Sequence, residues 1–387
     1  VAIPASMLVG IGLDPISSVL GCLVVNSTPT AFGSVGVPTV TLATVSGTEQ
    51  LALSGNIALI QCLLTFISPF LMVFICGRGM KAFKGMIPLT LIASVSFVVP
   101  WYITAQLLGP ELPDIIGSIC SMGCMLLAIK LFPPKPDESY NIEGASGSKG
   151  SLTVGEGVKA WSSFILIFLL LTLTSTLVPP IHNAIAGFKS SVVVYAGEGG
   201  GTLTFSWINT PGVMIFLAAI IGGFIQGASV GQMLGVFGAT MKQYWKTILT
   251  ICSVLATAKI MSYSGMISDI AKFLVAVTGG FYPLFAPLIG ALGAFVTGSG
   301  TSTNVLFGGL QSETAMTLGL SPTWLAAANV MGAGIGKMVC PQGIAIGAGA
   351  IGAVGSESKI LSGVMRYFLL YVVLAGIVCY AGTLLGL

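Results

Sequence analysis

The sequence predicts an all-α polytopic membrane protein with inverted repeats, re-entrant helical hairpins and broken transmembrane helices, an elevator-like transporter architecture. Three observations predict this class. Hydrophobic residues make up 55% of the chain and charged residues only 7%, whereas a soluble domain carries about 25% charged residues. Several apolar runs reach the length of about 20 residues that a membrane-spanning helix needs. Two distant stretches also share one spacing of Asn, Gly and Pro, and matched interrupted helices are typical of a transporter's binding site.

The shared spacing places Asn, Gly and Pro at relative positions 1, 8 and 13. It occurs at Asn26, Gly33 and Pro38, and again at Asn329, Gly336 and Pro341. Each stretch follows a Leu-x-Pro turn and a short apolar run. Gly and Pro interrupt a helix and free backbone polar groups, which a membrane protein tolerates only inside the protein or along a cavity. We therefore expect both segments to lie at a binding site.

The remaining elements follow from apolar runs and the polar segments between them. Long spans are predicted at residues 51–76, 86–108, 115–132, 161–178, 247–263 and 364–387. A short apolar run, 212–225, precedes an interfacial helix at 231–244, and residues 266–277 continue the chain after a break at Ser264-Gly265. Residues 192–195 and 202–207 are predicted to form a hairpin around Glu198.

A second kind of hairpin is predicted where an apolar arm, 281–296, reaches a polar tip, 298–304. A second arm, 305–318, then runs back, which describes a re-entrant helical hairpin. Residues 1–11 resemble the returning arm of a similar hairpin, so we expect the chain to be a fragment lacking an earlier arm.

The charge distribution gives the predicted orientation. Arg78, Lys81 and Lys84 form a short basic loop, which the positive-inside rule assigns to the cytoplasm. Alternation then places residues 111–114 outside. The two broken segments consequently cross the membrane in opposite directions, which is the inverted-repeat arrangement of secondary transporters.

The predicted organisation has six parts. They are a hairpin remnant with a broken helix at 1–50, scaffold helices at 51–132, a cytoplasmic linker at 133–160, scaffold helices at 161–278 with an extracellular loop at 179–210, a second hairpin with a broken helix at 279–356, and a last transmembrane helix at 357–387.

The polar residues of the hairpin tip and of the first broken segment are the candidate substrate-binding groups. They are Ser299, Thr301, Ser302, Thr303 and Asn304 at the tip, and Asn26, Ser27, Thr28 and Thr30 in the first segment. Buried hydroxyls and amides must be hydrogen-bonded, so a dense cluster suggests that a polar ligand completes the bonding. The alternative is that these side chains bond to neighbouring helices.

Lys337 is the sharpest single candidate, because an ionisable residue within a span marks a functional site by default. Its ammonium could hold a carboxylate, and helix N-termini after Pro38 and Pro341 would add positive dipole ends. Together these groups favour a small organic anion. Snorkelling of Lys337 to the interface is the alternative. For proton coupling, Glu313 on the returning arm is the candidate carboxylate, whereas Glu49 and Asp14 lie near predicted membrane edges.

Other classes of function have little support. The eight cysteines are scattered, and the single histidine, His182, lies in a loop. We therefore expect no metal, no cofactor and no catalytic residues. The net charge of +3 and the lack of a basic patch with interleaved aromatic residues give no sign of nucleic-acid binding. An integral-membrane enzyme or a passive channel is disfavoured, and the oligomeric state stays open.

The tip motif, residues 293–308, resembles the signature of the lactate permease family. Residues 262–266, 336–342 and 1–4 leading to 31–36 resemble it as well. The resemblance implies a bacterial inner-membrane symporter of L-lactate, and also of D-lactate or glycolate, with protons. It adds Gln342 to the candidate substrate-binding residues, and it implies that more than a hundred residues precede Val1.

One departure from the family bears on coupling. Gly300 stands where family members often carry an acidic residue. Coupling here would then use Glu313, a group in the missing segment, or another ion such as sodium. A sodium-coupled transporter of di- or tricarboxylates with a similar architecture is therefore the second hypothesis.

Overall fold

The computed structural model describes residues 1–133, 153–175, 178–193, 202–353 and 355–387. The chain forms two compact units, one from Val1–Gly147 with Met266–Leu387 and the other from Ser148–Gly265. Most of the predicted linker at 133–160 and the turn around Glu198 lie outside the described residues.

The N-terminal part of the larger unit is helical throughout. Its helices are α1 (Ala2–Gly10), α2 (Pro15–Val25), α3 (Val37–Ser46), α4 (Gln50–Cys76), α5 (Ile87–Leu107) and α6 (Pro113–Leu131). Asp14 caps α2 by accepting a hydrogen bond of 2.9 Å from the backbone N–H of Ser17. The Arg78 guanidinium lies 2.7 Å from the Asp14 carboxylate.

The C-terminal part of the larger unit contains the predicted helical hairpin and the second broken helix. Its helices are α11 (Met266–Thr278), α12 (Tyr282–Thr297), α13 (Gly300–Leu318), α14 (Pro322–Gly336), α15 (Pro341–Ala350) and α16 (Glu357–Leu384). The arms α12 and α13 meet at a turn where Gly298 has φ +72°. A hairpin of two helices is confirmed here, with its turn at Gly298 and Ser299, whereas residues 300–304, which were predicted as part of the tip, already belong to α13. That the hairpin is re-entrant stays a prediction.

Two successions of four helices in this unit follow one plan. In each, a helix leads to a helix of 11 or 15 residues that has Pro at its first position (Pro15 in α2, Pro322 in α14). A break follows, then a ten-residue helix with Pro in its first turn (Pro38 or Pro341). A long helix of 27 residues (α4) or 28 residues (α16) ends each succession.

Glycines allow α12 and α14 to approach each other closely. A side chain at Gly290 would meet the backbone oxygen of Asn329, and one at Gly336 would meet the backbone oxygen of Ala291. Small residues at such spacing permit close helix packing in membranes. The first hairpin arm is therefore held directly against the helix that carries the second break.

The smaller unit contains helices and one hairpin of strands. Its elements are α7 (Val154–Thr174), α8 (Pro179–Ala186), β1 (Lys189–Val193), β2 (Thr202–Ser206), α9 (Pro211–Gln226) and α10 (Val230–Tyr263). The strands pair antiparallel, with Lys189 opposite Ser206 and Val193 opposite Thr202. A hairpin was predicted here, but its first strand begins three residues earlier than expected.

The predicted boundary between an interfacial helix at 231–244 and a span at 247–263 is wrong. Both ranges belong to the single 34-residue helix α10. The physical reason is that residues 239–264 contain neither Gly nor Pro, so nothing interrupts the helix. The predicted break at Ser264-Gly265 is confirmed, since Gly265 has φ +76°.

In the part of the chain that the structure describes, six helical stretches are long and apolar enough to cross a membrane. They are Gln50–Cys76, Ile87–Leu107, Pro113–Leu131, Gly155–Thr174, Asp269–Thr297 and Glu357–Leu384. The chain is thus an all-α multi-pass membrane protein with a small strand hairpin.

Candidate functional site

The first broken segment connects α2 to α3 and has an unusual backbone. Ser34, Val35 and Gly36 follow one another with φ of 50°, 59° and 73°. A β-branched residue such as Val rarely adopts positive φ, and such backbone persists only where its surroundings hold it. One such restraint is Thr39, whose hydroxyl donates to the backbone oxygen of Ala31 over 2.8 Å.

The second broken segment carries Lys337. Helix α14 ends at Gly336, and the backbone N–H of Lys337 reaches the carbonyl oxygens of Ala333 and Gly334 at 3.3 and 3.2 Å. Cys340 is extended, and Pro341 then starts α15. Because Pro lacks an N–H and fixes its own φ, it starts a new helix at this point and does not continue the old one.

The hairpin tip lies between the two broken segments. A Cβ at Gly300 would lie 3.5 Å from the Thr30 methyl group of the first segment. On the other side, a Cβ at Gly298 would lie 2.5 Å from Oε1 of Gln342, next to the second segment. The sequence predicted these three segments to be near one another, and the fold brings them together.

A polar cavity of about 360 Å³ lies where these segments meet. It is lined by Asn26, Pro29, Thr30, Gly33, Ser34, Pro38, Asp114, Gly298, Ser299, Gly300, Thr301 and Lys337. A neighbouring cavity of about 230 Å³ shares Asn26, Gly298 and Lys337, and Gln342 lines it as well. The larger volume lies at the lower end of the range of about 300–1,000 Å³ for ligand sites, so the cavity suits a small molecule.

Two ionisable side chains of opposite charge line the larger cavity. Lys337 comes from the second broken segment and Asp114 from the first turn of α6. One carboxylate oxygen of Asp114 accepts a 2.9 Å hydrogen bond from Nε1 of Trp101. Among the described residues, the ion pairs join Arg78 to Asp14 and Lys272 to Asp269, so neither cavity charge forms an ion pair with any of these residues.

The start of α13 adds backbone donors to the cavity. Ser299 caps this helix, and its hydroxyl accepts from the backbone N–H of Ser302 over 3.3 Å. The N–H groups of Gly300 and Thr301 are in the first turn, where a helix offers them no acceptor. The positive end of the helix dipole therefore faces the cavity.

Six of the predicted site residues line one or both cavities. These are Lys337, Ser299, Thr301, Asn26, Thr30 and Gln342. The side-chain amide of Asn26 is exposed to this space, while its backbone oxygen accepts the Thr30 hydroxyl over 2.7 Å. These groups are positioned to contact a bound molecule.

The other five predicted substrate-binding residues are buried and line neither cavity. They are Ser27, Thr28, Ser302, Thr303 and Asn304. The Ser27 hydroxyl donates to the backbone of Val24, and the Thr28 hydroxyl lies 3.1 Å from that of Ser68. The Thr303 hydroxyl donates to the backbone oxygen of Ser299 over 2.8 Å. For these side chains the geometry favours the alternative of bonding to the protein.

Asn304 links the hairpin to both broken helices. Its amide nitrogen donates to the backbone oxygen of Pro38 over 3.0 Å, and its oxygen accepts from Asn329 over 3.0 Å. Gln311 lies next in this buried chain, 3.4 Å from the Asn329 oxygen, and accepts from the Tyr282 hydroxyl. Asn304 thus fixes the position of the tip without facing the cavity.

Glu313 lies far from the tip along α13. Thirteen residues separate it from Gly300, which corresponds to about 20 Å of helix. It lines neither cavity. The role of Glu313 in coupling stays a prediction. The carboxylate that lines the larger cavity is that of Asp114.

Sequence reasoning missed Asp114 and Ser34. Residues 111–114 were read as an external acidic turn, yet Pro110, Leu112 and Pro113 of the α5–α6 connection are buried. A usable signal was present in the sequence, because Asp114 follows Pro113 at the start of an apolar span. An acid inside a span marks a functional site by default.

The apolar helices, with a polar cavity that is lined by one acid and one lysine between interrupted helices, define a multi-pass membrane protein. A family model described as L-lactate permease matches residues 1–385. The chain belongs to the L-lactate permease family.

Individual relatives support this assignment. The chain is 43% identical to an L-lactate permease of Streptococcus iniae over 327 residues, covering 84% of this chain and 68% of the relative. It is 33% identical to the glycolate permease GlcA of Escherichia coli, in a match that covers 98% of this chain and 73% of the relative. The solved structure of Neisseria gonorrhoeae MtrF, described as an antimetabolite efflux pump, matches with a TM-score of 0.40 at 14% identity. The match covers 96% of this chain and 81% of the MtrF chain.

Proposed function

We propose that this protein is a secondary active symporter of the bacterial inner membrane that imports a short monocarboxylate with protons. L-Lactate is the first candidate substrate, followed by D-lactate and glycolate. The observation that carries the proposal is the position of Lys337 at the wall of a small polar cavity, without an ion pair to any described residue. The names of the relatives, L-lactate permease and glycolate permease, supply the substrate class.

The cavity groups match the two ends of a 2-hydroxy acid. The Lys337 ammonium and the N–H groups at the start of α13 suit a carboxylate. The hydroxyls of Ser299 and Thr301 and the amide of Asn26 can donate to or accept from the substrate hydroxyl, and the Thr30 hydroxyl, which donates to Asn26, can accept from it. One cation and several neutral polar groups are therefore sufficient for lactate or glycolate.

The same charges disfavour the second hypothesis, a sodium-coupled transporter of di- or tricarboxylates. A second carboxylate of the substrate would lack a second lysine or arginine among the cavity residues and would face Asp114. Like charges in a poorly hydrated site repel each other strongly.

We further propose that the two successions of helices, α1–α4 and α13–α16, are inverted repeats whose core moves in an elevator-like manner. Their common plan of capped helix, break, Pro-initiated helix and long helix supports the repeat. The basic loop at Arg78 and Lys81 supports their opposite orientation. Buried contacts such as Asn304 to Pro38 would make the hairpin and both breaks move as one body.

Uptake of labelled L-lactate into proteoliposomes tests the transport proposal. We expect an inward proton gradient to drive accumulation, and unlabelled glycolate to compete better than succinate or citrate. A sodium gradient alone should have little effect. No gradient-stimulated uptake of any 2-hydroxy acid, or uptake driven only by sodium and blocked by citrate, would contradict the proposal.

A further inference from the structure

We propose that Asp114 is the group that carries the coupled proton. This inference rests on the proposed function, because it assigns one step of proton-coupled anion transport to one residue. Asp114 is the carboxylate among the residues that line the 360 Å³ cavity, and it shares that cavity with Lys337.

Asp114 is at the depth of the first broken segment because the α5–α6 connection packs against that segment. A Cβ at Gly36 would lie 2.5 Å from the backbone oxygen of Pro110. The rings of Phe32 and Trp101 also meet edge to face, with centroids 5.2 Å apart. These contacts between distant parts of the chain hold the carboxylate beside the cavity.

The hydrogen bond from Trp101 suits a carboxyl group that gains and loses a proton. The buried indole N–H donates to one oxygen, Oδ1, over 2.9 Å. That bond can form with a carboxylate and with the carbonyl oxygen of a carboxylic acid. Oδ2 has no hydrogen-bond partner among the described residues and remains available for the proton.

The other titratable groups near Asp114 are few. Helix α5, the principal partner of α6, contributes Tyr102, and the connection before α6 contributes Glu111. Helix α6 itself carries Cys120, Cys124 and Lys130, which are farther along the helix. The first broken segment, α3 and the hairpin tip contribute no charged residue, so Lys337 is the charge that faces Asp114 across the cavity.

Charge balance in the cavity couples the anion to the proton. With Lys337 and Asp114 both ionised, the empty cavity has no net charge. A bound monocarboxylate anion adds one negative charge, and a proton from the solvent that converts the Asp114 carboxylate to a carboxylic acid restores neutrality. The bound anion therefore raises the affinity of Asp114 for the proton, and the proton raises the affinity of the cavity for the anion by the same factor. Release of both on the other side of the membrane regenerates the ionised pair.

Transport by Asp114→Asn tests this assignment, because asparagine keeps an oxygen that can accept from Trp101 but cannot carry the proton. We expect the variant to exchange labelled L-lactate for unlabelled L-lactate across proteoliposomes. It should lose accumulation driven by a proton gradient and lose the pH dependence of lactate binding. Asp269→Asn, which removes an exposed carboxylate of a surface ion pair, is the matched control and should behave as the wild type.

The outcomes separate this inference from the proposed function. The assignment would be overturned if Asp114→Asn still accumulated L-lactate in response to a proton gradient. It would also be overturned if Glu313→Gln lost this accumulation while Asp114→Asn kept it. If the wild type transports no 2-hydroxy acid, the proposed function fails instead.

A second measurement covers the case in which Asp114→Asn does not fold. Infrared difference spectra of the wild type should show a carboxylic-acid C=O band that appears when L-lactate binds. In Asp114→Glu this band should shift in frequency. A band that is absent from the wild type, or that is unchanged in Asp114→Glu, would overturn the assignment.

Discussion

Gly334 of α14 lies directly against the backbone carbonyl of Ser27, at the start of the first broken segment. A Cβ at Gly334 would overlap the Ser27 oxygen, so the two interrupted segments touch with no side chain between them. Ser27 follows Asn26 in the chain and Gly334 precedes Lys337 by three residues, so this contact brings two cavity-lining residues near each other. The shape of the cavity therefore depends on a glycine that lies outside it.

Gly334→Ala and Gly336→Ala should destabilise the protein, because their Cβ atoms would meet backbone oxygens that cannot move aside. Overpacking of this kind costs about 1–3 kcal/mol. Gly349→Ala, in the exposed part of α15 where nothing lies within 4 Å, is the matched control. Thermal unfolding in detergent should show lower midpoints for the first two variants and an unchanged or higher midpoint for the control. Equal midpoints for all three would contradict the packing described.

Val35→Gly should leave stability unchanged or raise it, because glycine relieves the positive φ of 59° at this position. Strain of this kind costs about 1–3 kcal/mol, while the added freedom of the unfolded chain costs about 0.5–1 kcal/mol. Val40→Gly makes the same change inside α3, where the backbone is helical, and should destabilise. Denaturant unfolding of both variants measures the change in the free energy of unfolding. If Val35→Gly loses as much stability as Val40→Gly, the backbone at position 35 is not strained.

Asn304 and Thr301 should respond differently to substitution, although they are three residues apart. Asn304→Ala removes the hydrogen bond to the Pro38 oxygen and leaves the Asn329 amide without its buried acceptor, which should cost about 1–3 kcal/mol of stability. Thr301→Val removes a hydroxyl from the cavity wall and should weaken L-lactate binding with little change in stability. Parallel unfolding and binding measurements distinguish the two, and a stable Asn304→Ala variant with weakened binding would place Asn304 at the site instead.

The ion pair between Asp14 and Arg78 should stabilise the protein in a pH-dependent manner. Burial raises the pKa of the Asp14 carboxyl, but hydrogen bonds from Ser17 and the charge of Arg78 outweigh it and hold that pKa below its ordinary value. Asp14→Asn keeps the helix cap and removes the charge. Because the pair is exposed, we expect a loss of about 0.2–1 kcal/mol at neutral pH.

The sign of this effect follows from the lowered pKa. The contribution is complete above the unfolded pKa of about 4 and disappears as the pH falls through the lower folded value. Unfolding midpoints of the wild type and Asp14→Asn should therefore converge in acid. A difference that stays constant down to low pH would show that the charge of Asp14 does not contribute.

Local signals allowed much of the fold to be predicted. Gly298 and Pro341 interrupt helices through their own backbone preferences, so the hairpin tip and the second break could be located from the sequence. Lys337 could be singled out because a charge is costly in an apolar span. Asp114 carries a local signal as an acid at the start of an apolar span, but its place at the cavity could not be predicted, since that place depends on the contacts of Gly36 with Pro110 and of Phe32 with Trp101, which join distant parts of the chain.

The site residues also differ in whether local sequence is sufficient to predict their role. Thr301 and Asn304 are both polar, and composition alone does not tell which one faces the cavity and which one faces a neighbouring helix. That distinction depends on the helical phase of α13 against α3 and α14. The continuity of α10 was misjudged for another reason, because a change from polar to apolar residues was read as a boundary where no residue ends the helix.

Binding of L-lactate to purified wild-type protein, Lys337→Gln and Lys359→Gln tests the central claim most directly. Both variants lose one positive charge, but Lys359 is exposed at the start of α16 and lines neither cavity. Loss of a charged hydrogen bond of about 1.5–3 kcal/mol should weaken binding about 10- to 100-fold in Lys337→Gln. The Lys359→Gln variant should bind as the wild type does. Wild-type affinity in Lys337→Gln, or an equal loss in both variants, would contradict the account.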